Sequence, residues 1–207
     1  PEVRLNKEYL KREKLYLSIL PRASAIFVDS QYLRQQLNQR YCLNFDRIFL
    51  RPFKPQLDLI ENAEIYESNQ SPVSEKYKLD FPYIFYPAHF WPHKNHIYIL
   101  QALSKLEELY GVRIGAIFSG LDRGNLNYIK REALRLNLLN KIKFAGFVDT
   151  SLLYSLYKQA FACVMPTYFG PTNIPPLEAF SIGVPVIYPD IEGLREQVSG
   201  AALLVDL

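Results

Sequence analysis

From Tyr83 onward, short apolar runs alternate regularly with longer segments of helical character. The predicted strands are residues 83–86, 112–119, 142–144, 160–165, 184–188 and 202–205. The helices predicted between them are residues 97–110, 126–138, 151–159, 177–182 and 193–198. Strands that are each followed by a helix pair in parallel, with helices covering both faces of the sheet. The alternation therefore predicts an α/β fold with a doubly wound, Rossmann-like parallel sheet.

The first part of the chain repeats this pattern on a smaller scale. An amphipathic helix is predicted over residues 2–20, and strands over 25–28 and 48–50 flank a helix over 31–41 that Ser30 is placed to cap.

Residues 56–80 separate the two regions. They are mostly polar and show little periodicity, which is typical of a linker or a long surface loop. A domain boundary is therefore expected between Pro52 and Phe81.

A polar loop with a helix start follows the predicted strand 160–165. Gly170, Pro171, Thr172 and Asn173 form the loop, and the next helix is predicted to begin at the proline pair that follows, because the fixed φ of proline suits a first helical turn. Ligands of open parallel sheets bind at the carboxyl ends of strands, and the N–H groups of a helix start suit a phosphate.

Glu178 lies one turn into that helix, so its carboxylate is expected to face whatever occupies the loop.

A second loop, PAHFWPHKNH over residues 87–96, holds all three histidines of the chain beside Lys94. Three interpretations remain open for it. The histidines could bind a metal, although no carboxylate or cysteine lies near them in sequence. The polar residues could simply cap the following helix. Lys94 could bind a phosphate as a point charge.

The sequence of residues 166–187, PTYFGPTNIPPLEAFSIGVPVI, resembles the signature loop of the family-4 retaining glycosyltransferases. In that family an acidic residue acts near the transferred sugar, and a glutamate further along binds the ribose of a nucleotide-sugar donor. Glu178 matches the glutamate, whereas Gly170 occupies the position of the first acid. The resemblance covers roughly residues 20–207.

Three further stretches carry the same resemblance. The family has an arginine and, five residues later, a lysine that contact the donor diphosphate; His89 and Lys94 occupy these positions. Gly120 matches a glycine that faces the donor, although a plain turn would need a glycine there as well. Phe147 and Val148 match a turn that contacts the nucleotide base.

The resemblance thus implies a site of several loops. Lys94 and Glu178 would serve the catalytic step, and the implied donor-binding residues are His89, Lys94, Gly120, Phe147, Val148, Gly170, Thr172, Asn173, Ile174 and Glu178. No metal or other cofactor is implied.

At the level of the whole chain the resemblance implies the GT-B fold. Residues 81–207 would be a donor-binding domain that is truncated at its C-terminus, and residues 1–55 would be a remnant of the N-terminal acceptor domain. A chain that begins at Pro1 rather than methionine fits a fragment.

The implied reaction is transfer of a sugar from a nucleotide-diphosphate donor to an acceptor hydroxyl with retention, in polysaccharide or glycan biosynthesis. The acceptor would be a glycan or a lipid-linked molecule. Two alternatives remain: a non-catalytic nucleotide-sugar-binding or scaffold module of the same fold, and a sugar-nucleotide epimerase.

Charge and cysteine content bear on possible partners, metal sites and location. A net charge of +3, spread evenly, argues against a nucleic-acid partner. Cys42 and Cys163 are isolated and lack the spacing of a zinc site. Without a predicted membrane span or signal peptide, the expected location is the cytoplasm. Basic residues in 2–20 allow peripheral contact with the inner face of a membrane, although a solvated helix face explains them as well.

Overall fold

The computed structural model describes residues 7–70, 72–170 and 173–207. The chain divides into two compact units, Pro1–Phe53 and Lys54–Leu207.

The first unit is a small sheet with a covering helix. It contains α1 (Glu8–Ile19), β1 (Ile26–Val28), α2 (Gln31–Tyr41) and β2 (Ile48–Leu50). The strands β1 and β2 pair in parallel. The N–H of Leu33 donates to Ser30 Oγ at 3.2 Å, which confirms the predicted cap of α2.

The second unit contains a six-stranded sheet in which every neighbouring pair is parallel. Its strands are β3 (Tyr83–Pro87), β4 (Gly115–Ser119), β5 (Ile142–Gly146), β6 (Ala162–Val164), β7 (Val186–Pro189) and β8 (Leu203–Val205). Their order across the sheet is β5-β4-β3-β6-β7-β8. The direction of winding therefore reverses between β3 and β6, which confirms the predicted doubly wound fold.

Eight α-helices of the second unit lie in the described residues; the first three precede β3, and the others connect consecutive strands. They are α3 (Leu57–Glu61), α4 (Ala63–Ser68), α5 (Val73–Tyr77), α6 (His96–Tyr110), α7 (Leu126–Arg135), α8 (Thr150–Lys158), α9 (Ile174–Ile182) and α10 (Leu194–Val198). Within the described residues, none of the helices is both long and apolar enough to cross a membrane.

The core lies between the sheet and its helices. Phe85 and Ile117 on the central strands are completely buried, as are Leu100 on α6 and Tyr157 on α8. Phe85 and Tyr157 meet edge to face, with ring centroids 4.9 Å apart. This burial on both faces explains why the central strands read as continuous apolar runs.

Residues 56–80 differ from the irregular linker expected of them. They contain α3, α4 and α5, and Leu59 and Val73 are buried. The N–H of Val73 donates to Gln159 Oε1 at 2.9 Å, just after α8. Tertiary packing therefore orders this segment. Its helices are too short for their sequences to show a helical periodicity.

Several boundaries also differ from those expected. β4 begins at Gly115 rather than at residue 112, and β6 is confined to Ala162–Val164. α9 begins at Ile174, so both prolines lie in its first turn, which confirms the expected helix start at the proline pair. Gly183, with φ of 80°, ends α9 in the left-handed conformation that glycine tolerates best.

Candidate functional site

The reversal of winding places two loops at the carboxyl edge of the sheet. The β3 loop, residues 88–95, and the β6 loop, residues 165–173, leave adjacent strands. The N–H of Tyr168 donates to the carbonyl of His93 at 2.9 Å, and the rings of His93 and Phe169 stack with centroids 4.4 Å apart. The described residues of the two loops therefore form a shared wall at the edge of the sheet where doubly wound folds bind ligands.

Lys94 lies on this wall, at the end of a 3₁₀ turn formed by Pro92–Lys94. Its ammonium Nζ donates to Asn173 Oδ1 at 2.8 Å, which links the β3 loop to the β6 loop. Burial lowers the pKa of Lys94 to about 8, because removing a charge from water disfavours the charged form. At neutral pH the group is still mainly a cation.

Asn173 occupies the N-cap position of α9, although its side chain makes no capping hydrogen bond, and it is 6% exposed. Its side-chain nitrogen donates to the carbonyl of Gly170 at 3.1 Å and to the Tyr188 hydroxyl at 2.6 Å. The sequence indicated Gly170 and Asn173 as loop residues. It gave no local signal for Tyr188, which lies on β7 and reads there as an apolar strand residue.

Glu178 lies in the second turn of α9 and is 7% exposed. The Tyr157 hydroxyl on α8 donates to its Oε2 at 2.8 Å. Burial raises the pKa of the Glu178 carboxyl, and the hydrogen bond from Tyr157 partly opposes that rise. The carboxylate is thus held by a tyrosine that the sequence pattern marked only as a helix residue.

His89 lies at the start of the β3 loop. Its Nδ1 accepts a hydrogen bond from the N–H of Leu121 at 2.9 Å. Burial lowers the pKa of His89, and the charges of Arg123 and Lys94 lower it further. The imidazole at the position of the family's arginine is therefore neutral at pH 7, and only its Nε2 remains as a possible donor.

His96 belongs to the core. It is fully buried among the rings of Tyr86, Phe90 and Phe118, with centroid distances of 4.7, 4.9 and 5.1 Å. This burial lowers the pKa of His96 to about 3. The part of the chain that the structure describes contains no cluster of three or more His, Cys, Asp or Glu side chains suited to a metal.

A cavity of about 230 Å³ opens beside His89. It is lined by Pro87, Ala88, His89, Ser119, Gly120, Gly146, Phe147, Val148 and Leu153. Four of the expected donor-binding residues thus converge on one space that combines apolar surface with backbone polar groups. Phe147 is 78% exposed at its rim, so a planar ligand could stack on the ring.

Gly120 is required at this cavity for a steric reason. Its φ is 148°, and a Cβ there would lie 2.4 Å from the carbonyl oxygen of Ala88. The glycine therefore lets the loop after β4 pass directly against the β3 loop.

Two of the remaining expected residues, Gly170 and Ile174, lie in the β6 loop and at the start of α9. Gly170 has φ of 119°, and a Cβ there would meet Asn173 Oδ1 at 3.5 Å, an ordinary contact. Ile174, the first residue of α9, is 41% exposed. Thr172 lies outside the described residues. The structure therefore brings Lys94, Gly170 and Asn173 together at one point, with Ile174 beside them.

Known proteins match the chain in sequence. Residues 68–206 match the model of the family described as glycosyl transferases group 1. O-antigen chain mannosyltransferase B of Escherichia coli is 28% identical over 195 residues, which cover 94% of this chain and 50% of that protein. O-antigen chain mannosyltransferase RfbU of Salmonella typhimurium is 29% identical over 119 residues, which cover 56% of this chain and 32% of that protein. The chain thus spans at most half the length of these curated relatives.

Solved structures show the same likeness in fold. A glycosyltransferase from Rickettsia africae matches with a TM-score of 0.72 at 23% identity, covering 93% of this chain and 52% of its own. Anabaena HepE in complex with UDP and glucose matches with a TM-score of 0.71 at 17% identity, covering 88% of this chain and 49% of its own. Since the family model covers well over half of the residues, this chain belongs to the group 1 glycosyl transferases and contains a GT-B C-terminal domain.

Proposed function

We propose that this chain forms the donor-binding part of a glycosyltransferase that moves a sugar from a nucleotide-diphosphate donor to an acceptor hydroxyl. The observation that carries the proposal is the position of the Lys94 ammonium, held by Asn173 at the point where the sheet reverses its winding. A cation beside the start of a nine-residue helix is suited to a phosphate group.

The proposal assigns each part of the donor to a part of the site. The diphosphate contacts Lys94 and backbone N–H groups of the β6 loop. The nucleotide base enters the cavity at Phe147 and Val148, which offers an apolar ring and backbone groups. Glu178 takes the ribose hydroxyls, as the family resemblance implies. The UDP and glucose bound by HepE, which has a similar fold, support this class of ligand.

Catalysis in this proposal is mainly electrostatic. As the glycosidic bond to the diphosphate breaks, negative charge grows on the leaving oxygen, and a cation that is already in place lowers the barrier. Lys94 supplies that charge. Glu178 contributes orientation of the donor rather than proton transfer. Transfer with retention is part of the proposal, no residue is assigned as a base, and no metal or cofactor is invoked.

The acceptor and location follow from the relatives. Both named relatives are O-antigen chain mannosyltransferases, so we place the chain in polysaccharide biosynthesis with a glycan or lipid-linked acceptor. This chemistry suits a cytoplasmic protein with peripheral contact at the inner face of the membrane, and it requires no nucleic-acid partner.

Thermal unfolding of the chain with UDP, GDP, ADP or dTDP, with and without magnesium, tests the proposal. A ligand that binds only the folded state at about 100 times its Kd adds about 2.7 kcal/mol to the unfolding free energy. One of the four nucleotides should raise the midpoint temperature of unfolding. Lys94→Ala should weaken its binding about tenfold or more, because a charge-assisted hydrogen bond contributes about 1.5–3 kcal/mol.

Lys105→Ala is the matched control, since Lys105 is exposed on α6 away from the β3 loop. Its midpoint shift should equal that of the wild type. No shift with any of the four nucleotides would contradict the proposal, and an unchanged affinity in Lys94→Ala would remove Lys94 from the site.

A second candidate function is a binding module without transfer activity. Gly170 favours it, because the family's first acid is missing and φ of 119° disfavours any other side chain. The two functions differ in turnover. A module binds the nucleotide but releases none from sugar donors, even when the chain is supplied within a protein of the length of its relatives.

A further inference from the structure

Gln197, on α10, forms two hydrogen bonds with the main chain of one residue of the β6 loop. The N–H of Asn173 donates to Gln197 Oε1 at 3.0 Å, and Gln197 Nε2 donates to the carbonyl of Asn173. A primary amide that satisfies both backbone groups of a residue fixes where that residue lies. Gln197 thereby anchors the last residue before α9.

The side chain of Asn173 is fixed by the same group. Its Nδ2 donates to Gly170 and to the Tyr188 hydroxyl, and that hydroxyl donates in turn to Gln197 Oε1 at 3.1 Å. The bonds close a ring through Asn173, Tyr188 and Gln197. Asn173 and Tyr188 are buried, so water cannot readily replace a lost partner.

The ring permits only one orientation of the Asn173 amide. Turned by 180°, the amide would place its oxygen against the carbonyl of Gly170 and its NH₂ against the Lys94 ammonium. The first contact would join two acceptors and the second two donors. The Tyr188 hydroxyl donates its proton to Gln197, so towards Asn173 it can only accept, and it disfavours the turned amide together with the Gly170 carbonyl. Oδ1 therefore faces Lys94 and accepts from Nζ at 2.8 Å.

We propose that Gln197 is a positioning residue of the donor site, which fixes the Lys94 ammonium through Asn173. This inference rests on the proposed function, since the ammonium is there the contact of the donor diphosphate. Gln197 itself touches neither Lys94 nor the cavity beside His89 in the contacts described.

The test measures the affinity of the chain for UDP, GDP, ADP and dTDP by calorimetry, up to millimolar nucleotide. Gln197→Met keeps the length of the side chain and removes the three hydrogen bonds described above, so affinity for the nucleotide that binds should fall about tenfold. Gln197→Glu still accepts from Asn173 and Tyr188 but cannot donate to the Asn173 carbonyl as a carboxylate, and its loss should be smaller. Gln101→Met, the same change at an exposed position of α6, should leave affinity unchanged.

A double variant separates positioning of Lys94 from a general effect on folding. In a Lys94→Ala background, Gln197→Met should change affinity less than twofold, because the group it positions is gone. A purely structural role would weaken binding by the same factor in both backgrounds and would overturn the inference. Circular dichroism at the assay temperature confirms that each variant is folded, and Gln197→Glu serves as the test if Gln197→Met is not.

The outcomes also distinguish this inference from the proposed function. If the wild type binds one nucleotide and Gln197→Met binds it equally well, the inference is wrong while the proposed function stands. If the wild type binds none of the four, the proposed function fails and the inference falls with it.

Discussion

Lys94 combines a half-buried position with a hydrogen bond from its ammonium to Asn173. Burial brings its pKa to about 8 from an ordinary value of 10.5, so the cation is easily lost in mildly alkaline solution. A bound diphosphate favours the ammonium and raises that pKa in the complex. Between the two pKa values, binding therefore requires uptake of a proton.

Nucleotide affinity should accordingly change little near pH 7, where the terminal phosphate is already mostly ionised, and fall by up to about tenfold per pH unit above pH 8. Calorimetry of the binding nucleotide between pH 6.5 and 9.5 measures this slope. Lys94→Arg should abolish it, because a guanidinium stays charged throughout this range. A slope that persists in Lys94→Arg would assign the titration to another group.

The loops at the carboxyl edge of the sheet pass very close to one another. The loop after β4 passes so close to the β3 loop that a Cβ on Gly120 would lie 2.4 Å from the Ala88 oxygen. Gly124, with φ of 92°, also needs a positive φ but has nothing within 4 Å of an added Cβ. Both glycines have a positive φ that would strain another residue, but only at Gly120 would an added Cβ also meet neighbouring atoms.

Gly120→Ala should therefore destabilise the protein by about 3 kcal/mol or more, since overpacking adds to strain. Gly124→Ala should cost only about 1 kcal/mol, from strain alone. Urea unfolding followed by circular dichroism compares the two variants. Equal destabilisation would show that the contact with Ala88 does not constrain these loops.

Local patterns predicted the elements better than they predicted the contacts between them. Apolar runs such as Tyr83–Tyr86 become central strands because burial on both faces requires continuous apolar sequence. Glu178 and Lys94 were predicted as candidate site residues from their loop positions and the family resemblance. Tyr157 and Gln197 were not, because their roles depend on which residues of distant elements the fold places opposite them. No local pattern encodes such pairings.

The short helices of residues 56–80 were missed for the same reason. An isolated helix of five or six residues has almost no stability of its own, so its sequence need not show strong helical periodicity. Burial of Leu59 and Val73 in the second unit supplies the stability instead.

The whole molecule contains two cores of very different size. In the first unit, Val28, Leu43 and Ile48 form the fully buried cluster among the described residues. Phe27 and Phe49 pair across the strands there, but they are 70% and 47% exposed and bury little apolar surface. In the second unit the cluster of buried residues includes residues of five of the six strands, all but β8. Buried apolar area is the main source of stability, so the two units should open at different free energies.

Native-state hydrogen exchange of the chain, read by mass spectrometry, should show this difference. Amides paired between β1 and β2 should exchange through openings that cost less free energy than those that expose β3 and β4. Val28→Ala should speed exchange in β1 and β2, by removing about 2 kcal/mol of core packing, and leave β3 and β4 unaffected. Ile117→Ala is the reciprocal variant, whose effect should reach β3 and β4. Equal opening free energies in the wild type, or a Val28→Ala effect that extends to β3 and β4, would mean that the chain opens as a single cooperative unit.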